Sequence, residues 1–476
     1  LDDIEKEVQR LPISVDKRTD GTTVLTHELQ TNGILYADVG FDYSKIPSSE
    51  LVLMNLLTRM MTEAGTDTLD EVGLSRRIGS ETGGIGVSKY TDAKYKAGGL
   101  ADMNNPIMYV MVRGKATKDK VANLLDLFGQ VLMKANLANE KRAIEMLKES
   151  KVRMQTSIIT SGHSYGATRL AARYSLLGYL AETTGGLTYA REVATLLEHA
   201  EKDWPSVQKR LEALRDSIVA KGDVVVNLTG SKDVLETAAP LVEKFISSIP
   251  EAPQVCGPKL AEQFSAGDLL PMVDEGFSVP SQVNYVVKGA QVLKDGDTVS
   301  GAYSVASRHL STGYLWDNVR VMGGAYGGFS RFSGANGRAT FLSYRDPNLA
   351  DTLSLYDAAA SVLAEEADKM ESEDVLQAII GTVGDLDSPM GPDAKGFTSM
   401  CRYLTNETDE ARQQWRDEVL GTSADDFKSF AQKLEAIKED GSVVVFGSQT
   451  ALEKANETLP ENKKLKIEAA IRSTDA

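Results

Sequence analysis

Residues Trp316 to Asn348 read WDNVRVMGGAYGGFSRFSGANGRATFLSYRDPN, and they hold the clearest candidate chemistry in the chain. Arg320 and Tyr326 stand either side of the pair Gly323–Gly324, and a second pair, Gly327–Gly328, follows the tyrosine. Glycines at that density let a backbone turn sharply or come close to another chain. A fixed guanidinium and a phenol beside such a backbone suit a site that grips a peptide carbonyl or carboxylate. The same residues also make an ordinary glycine-rich turn between a helix and a strand, with two surface side chains.

Other chemistry is sparse. The four histidines are His27, His163, His199 and His309, and no two lie within five residues of each other. Neither H-E-x-x-H nor H-x-x-E-H is therefore present, and no metal site is expected in this chain. His199, between Glu198 and Glu201, reads as part of a solvated helix face. His163 in SGHSYGA reads as a cap or a packed side chain, and His309 suits a helix C-terminus. No phosphate loop of the form G-x-x-x-x-G-K-[ST] occurs. Cys401 has no histidine near it and reads as a small buried hydrophobe. The pair Asp385 and Asp387 fits a capped turn or a cation contact.

The elements that must position these residues belong to an ordinary globular chain. It has 476 residues, 42% hydrophobic and 25% charged, enough for two large or three smaller domains with cores of their own. The net charge of −16 argues against nucleic acid and is compatible with cationic ligands. Two cysteines, Cys256 and Cys401, make no disulfide framework and suggest a reducing compartment. No apolar run reaches membrane-span length. The sequons at Asn227, Asn406 and Asn456 read as chance matches, Asn227 lying in an expected strand. Without an initiator Met or a targeting segment, the chain is expected to be a mature form or a fragment.

Three matched elements recur in the same order. An apolar strand, Ile34 to Phe41 or Gln282 to Gly289, leads to an amphipathic helix, Glu50 to Glu63 or Asp297 to Leu310. A strand, turn and helix follow over Ile107 to Leu132 and Ala339 to Leu363, with Arg113 and Arg345 expected to end the strands. Each unit closes on a β-branched strand and a helix, Gly222 to Phe245 and Gly441 to Leu459. A repeat of this length indicates domain duplication. The expected class is α+β: two similar domains, each a mainly antiparallel sheet packed with helices, the stretch Glu140 to Arg215 being almost wholly helical. The expected divisions are a linker remnant over 1–20, a first domain over 21–255, a connector over 256–275 and a second domain over 276–476. The polar tail from Lys463 is expected to fray.

Several tracts resemble a known family. WDNVRVMGGAYGGF with SYRDPN, then AIIGTVGDLDSPMGPDAKGF, is similar to the C-terminal half of the presequence-degrading branch of the pitrilysin-like inverted-zincin metallopeptidases. Falcilysin and, more distantly, insulin-degrading enzyme are relatives. The likeness continues through TNGILYADVGFDYS, ETGGIGVS, SGHSYGATR and PSQVNYVVKGA, and spans about Leu1 to Thr458. It implies that the chain is the third and fourth domains of a peptidase whose halves close around a substrate chamber. It further implies that zinc and the H-x-x-E-H glutamate base belong to the N-terminal half, this chain binding no metal. The first helix here, Glu50 to Glu63, contains no histidine.

By the same resemblance Arg320 and Tyr326 are the catalytic contacts of the C-terminal half, reaching the substrate backbone near the zinc. Gly323, Gly324, Gly327 and Gly328 would let the loop lie against a peptide. The implied partners are the N-terminal zinc-binding half and short unfolded peptides, cationic targeting presequences among them, with no nucleic acid and no membrane. The implied compartment is the mitochondrial matrix, the plastid stroma or both. The alternative is an inactive pitrilysin-like binding or structural subunit.

Overall fold

The structure, a computed structural model, describes residues 4–96, 99–252, 257–294 and 296–471. Cys256, at the start of the expected connector, Pro253 just before it, and the last residues of the tail lie outside the described residues.

Among the described residues twelve strands form two six-stranded sheets. The first contains β1 (Ser14–Lys17), β2 (Thr23–Glu28), β3 (Ile34–Asp42), β4 (Ile85–Asp92), β5 (Ile107–Thr117) and β6 (Val224–Gly230), in the order β1-β2-β6-β3-β5-β4. The second contains β7 (Glu275–Ser278), β8 (Tyr285–Gln291), β9 (Gly327–Ser333), β10 (Arg338–Tyr344), β11 (Ser442–Gly447) and β12 (Lys466–Ala469), in the order β12-β7-β11-β8-β10-β9. Without β1 and β12 the two orders are the same. In each, one parallel pair (β2 with β6, β7 with β11) is followed by antiparallel neighbours. The central strands VVVNLTG and SVVVFG are buried along their whole length, as strands covered on both faces must be.

Helices cover one face of each sheet in matching ways. The first unit has α1 (Met54–Glu63), α2 (Glu71–Glu81) and α3 (Val121–Met133). The helical tract α4 (Glu140–Thr160), α5 (Gly162–Ala171), α6 (Leu176–Gly185), α7 (Leu187–Lys202) and α8 (Trp204–Ile218) follows, then α9 (Lys232–Ser248) and a short α10 (Leu260–Gln263). The second has α11 (Ala302–Thr312), α12 (Ala350–Ala367), α13 (Ser372–Leu386), α14 (Pro392–Thr405), α15 (Asp409–Leu420), α16 (Ala424–Asp440) and α17 (Gln449–Thr458). Leu57, Met60, Leu124 and Phe128 of α1 and α3 bury against Val39, Phe41 and Val112. Val305, Tyr356 and Phe430 of α11, α12 and α16 do the same against Val286, Phe341 and Val445.

The opposite faces are covered by exchange. Helix α5 lies on the second sheet, where Leu170 joins Phe277, Val287, Val444 and Phe446. Helix α14 lies on the first sheet, where Met400 joins Leu25, Met111 and Val225. Both contacts are close because a glycine faces the sheet. A Cβ on Gly166 would sit 2.7 Å from Val287 Cγ2, and one on Gly396 would sit 1.7 Å from Thr229 Oγ1.

A buried ionic cluster fastens α5 to β7. Arg169 donates from Nε and Nη2 to the two oxygens of Glu275, at 2.9 and 2.8 Å, and Arg173 donates to the same carboxylate at 2.6 Å. Arg169 also reaches Glu182 at 3.1 Å. Burial opposes ionisation of Glu275, but the two guanidiniums outweigh it and hold the carboxyl below its usual range.

Some expectations need correction. Residues 14–17, within the expected linker remnant, form an edge strand antiparallel to β2. Before it, α15 grips the extended backbone: Arg416 Nε donates to Glu5 O at 2.9 Å and Gln413 to Lys6 O at 2.9 Å. Lys466–Ala469 does not fray; it adds a parallel strand beside β7. Arg113 does not end its strand but lies inside β5, where Nε donates to Asp38 of β3 at 2.7 Å. The helix expected from Asp297 begins at Ala302, because the polar run before it makes turns instead.

Candidate substrate-contact site

The Trp316–Met322 segment is a π-helical turn following α11. Its wide turn puts Arg320 back over Trp316, with the guanidinium 4.0 Å from the indole centroid. Such a cation–π contact is worth about 0.5–1 kcal/mol at an exposed site and fixes the plane of the cation. Both side chains are exposed, so the free edge of the guanidinium keeps its donors available.

The backbone then reverses toward β9. Gly324 N–H donates to Arg320 O at 2.9 Å and Ala325 N–H to Val319 O at 3.1 Å. Gly324 has φ +80°, the left-handed region that side chains rarely adopt. The turn is pinned from below: Asn348 Nδ2 donates to Gly323 O at 2.6 Å. Asn348 is itself held by Asp346, which accepts from its N–H at 2.9 Å and from Thr352 Oγ1 at 2.7 Å.

Tyr326 leaves this turn with its ring 65% exposed. Its N–H donates to Tyr344 O at 2.9 Å, which ties it to the end of β10. Arg345, with φ +50°, sets its guanidinium 5.6 Å from the Tyr326 ring. Around the pair, Val321, Met322 and Phe329 are also exposed. One loop therefore offers a stacked guanidinium, a free phenol and an apolar surround.

The four glycines divide. Gly323 and Gly324 form the reversal and reach the surface, whereas Gly327 and Gly328 are buried at the start of β9. A Cβ on Gly328 would meet Val319 Cβ at 2.9 Å, so Gly328 serves packing against the π turn, while one on Gly327 would meet the Phe329 ring at 2.5 Å. Trp316, Arg345 and Asn348 are parts of the site that sequence reasoning passed over. Trp316 and Asn348 bound the tract, and Arg345 was read only as a strand end.

The remaining candidates are dispersed. Among the described residues no group of three or more His, Cys, Asp or Glu side chains is placed to hold a metal ion. His27 is buried between Asn227 Oδ1 at 2.7 Å and Pro12 O at 2.8 Å. His309 meets Glu366 at 3.1 Å, and His199 is exposed on α7. Asp385 and Asp387 pair separately with Arg308 and Arg416. Burial pushes the Cys401 thiol up to about 11, so it is not a thiolate at neutral pH.

Gly162–Gly166 also has the G-x-S-x-G spacing of a nucleophile elbow. It opens helix α5 directly after α4, without the strand-to-helix turn such an elbow needs. His163 stacks 5.9 Å from Tyr285 and meets Tyr344 edge-on at 4.9 Å. Burial first, and Arg331 second, hold its imidazole below the ordinary 6.5. The unfolded chain takes up that proton more readily, so it binds more protons below about pH 6.5 and stability should fall as pH drops through that range. His163→Phe should flatten this slope in urea titrations at several pH values. A variant whose offset from the parent is the same at every pH would refute the assignment.

The family description "PreP C-terminal domain" matches residues 274–449, and the description of the domain associated with subfamily C of the M16 peptidases matches 1–196. The chain is 36% identical to presequence protease 1, chloroplastic/mitochondrial, of Arabidopsis thaliana, over 96% of this chain and 41% of that protein. It is 30% identical to protein HypA of Clostridium perfringens, over 98% of this chain and 45% of that one. In fold it is similar to the peptidase M16 inactive domain from Pseudomonas fluorescens, with TM-score 0.63 and 15% identity over 92% of this chain and 98% of that one. The chain spans less than half the length of the curated relatives it matches. Two family descriptions in register, relatives aligned along almost the whole chain and the shared fold lead to one assignment: the chain belongs to the presequence-protease family of M16 peptidases, where it corresponds to the C-terminal half.

Proposed function

We propose that this chain is the non-zinc half of a metalloendopeptidase that degrades targeting presequences and other short unfolded peptides inside a closed chamber. The observation that carries the reading is the Arg320–Tyr326 loop. Its donors are exposed and held in place, yet among the described residues no metal-binding group accompanies them. Such donors make sense opposite a metal and base supplied by the part of the parent that precedes this chain. Tyr326 would donate its hydroxyl proton to the oxyanion formed at the attacked carbonyl. Arg320 would hold a neighbouring carbonyl or carboxylate by charge-assisted hydrogen bonds. The names of the relatives favour peptide substrates and a mitochondrial or plastid setting. A net charge of −16 favours cationic cargo through long-range attraction.

The test is to compare the purified chain with its full-length parent for zinc content and peptide hydrolysis. This chain alone should carry no stoichiometric zinc and cleave no peptide, while the parent does both. Activity-linked zinc in this chain would overturn the reading. A parent that binds peptides without hydrolysing them would favour the inactive binding subunit instead.

A further inference from the structure

An antiparallel edge strand points the N–H and C=O of every second residue away from its neighbour, and native proteins usually guard such edges. The two sheets have four edges. β1 is four residues long, follows Pro12 closely and carries Asp16 and Lys17. β12 is four residues long and carries Lys466 and Glu468. β9 is longer but sealed by α11: Ser311 Oγ accepts from Ser330 N–H at 2.7 Å and donates to Ser330 O at 3.0 Å.

β4 is the counterpart of β9 in the first sheet, and it lacks that seal. Its eight residues, IGVSKYTD, contain no proline. Among the described residues β5 is the only element found hydrogen-bonding to its backbone. α1, the counterpart of α11, turns its hydroxyls to its own carbonyls, Thr58 to Met54 O at 3.0 Å and Thr62 to Arg59 O at 3.3 Å. Ile85 and Val87 pack partly against the core on the α1 side, while Gly86 and Ser88 are exposed on the other. No atom lies within 4 Å of where a Gly86 Cβ would stand. Lys89, the one basic side chain of the strand, is turned away to Thr184 O at 3.2 Å. An incoming strand would meet open backbone groups, with side-chain room at Gly86 and Ser88, while Tyr90 toward the far end packs edge-on against Phe397 of α14.

We propose that β4 is a peptide-docking edge, on which an unfolded cationic peptide adds as a further strand alongside Ile85–Asp92. Recognition is through the peptide backbone and is therefore tolerant of sequence, the mode of strand addition to an exposed sheet edge. Charge selects the occupant: a second copy would bring another −16 to the interface, whereas an Arg-rich peptide is drawn in. The inference rests on the reading that the parent acts on peptides and gives that reading a second contact, on the other sheet from Arg320 and Tyr326.

Hydrogen exchange of this chain tests it, with a short synthetic peptide rich in Arg and Leu, and the same peptide N-methylated at alternate residues. Saturating unmodified peptide should slow exchange in 85–92 by about tenfold or more, and the N-methylated peptide should not. The protection should persist in Arg320→Ala and Tyr326→Phe. If those variants keep full hydrolysis in the parent while β4 is still protected, the functional reading falls and the docking edge stands. Absence of binding, binding that protects other segments and leaves 85–92 unchanged, or protection that grows with chain concentration without peptide would each overturn the proposal. The last outcome would identify the occupant as a second copy.

Discussion

Glu275→Leu is expected to destabilise the chain by about 3–5 kcal/mol, the usual cost of removing one partner from a buried ion pair. The reason is what it leaves behind. Arg173 has a side chain with no exposed surface and Arg169 is nearly as enclosed, so neither guanidinium can turn to water when the carboxylate goes. Glu182 remains within reach of Arg169 but not as a second partner for Arg173. The damage should be local as well as global. α5 is held on the second sheet by this cluster and by Leu170, so its amides should lose exchange protection before those of β6 or β11. Replacing Arg169, Arg173 and Glu275 together by Met, Leu and Leu should recover only part of the loss, since Glu182, buried and paired with Arg169, then loses its cation. Urea unfolding of the single and triple variants measures both effects. A Glu275→Leu chain with the parent's midpoint would show that the cluster does not fasten the two units.

That exchange of helices marks the limit of what the sequence discloses. Periodicity and β-branched runs locate β3, β5, β6, β8, β10 and β11 to within a few residues, because each strand's pattern is local. The repeated order of elements anticipates two sheets of one topology. Nothing local says that α5 belongs over Tyr285 and Val287, or that α14 belongs over Thr229. Those contacts join residues far apart in the chain, and their signal is a single glycine on each helix. The edge strands β1 and β12 were missed for a related reason. Short runs of mostly exposed residues have no amphipathic pattern, and pairing with β2 and β7 alone makes them strands.

The site was legible in residue types and illegible in geometry. Arg320, Tyr326 and the first glycine pair stand out by spacing. The π turn that stacks Arg320 on Trp316 does not, because seven residues of ordinary helical composition carry no mark of a widened turn. Likewise Asn348 and Asp346 look like a polar turn. Only the fold shows that they brace Gly323 from beneath.

In the full-length parent, Arg320→Ala and Tyr326→Phe are each expected to lower kcat by about 10²–10³, the usual effect of losing one preorganised donor at a developing oxyanion. Tyr326→Phe is the cleaner change: the ring stays beside Arg345 and the main-chain bond to Tyr344 is untouched, so only the hydroxyl is lost. Arg320→Lys keeps the charge but not the plane that lies over Trp316, so it should recover little if a fixed guanidinium is what matters. Trp316→Ala separates placing from contact. It leaves both donors present but frees Arg320 to move, and should cost less in kcat than Arg320→Ala. Stability should barely change in any of these variants, because the altered groups are exposed. Steady-state hydrolysis of an unstructured peptide, with unfolding midpoints measured alongside, decides the matter. A kcat unchanged in Tyr326→Phe or Arg320→Ala would remove the loop from the reaction and leave it a glycine-rich turn with two surface side chains.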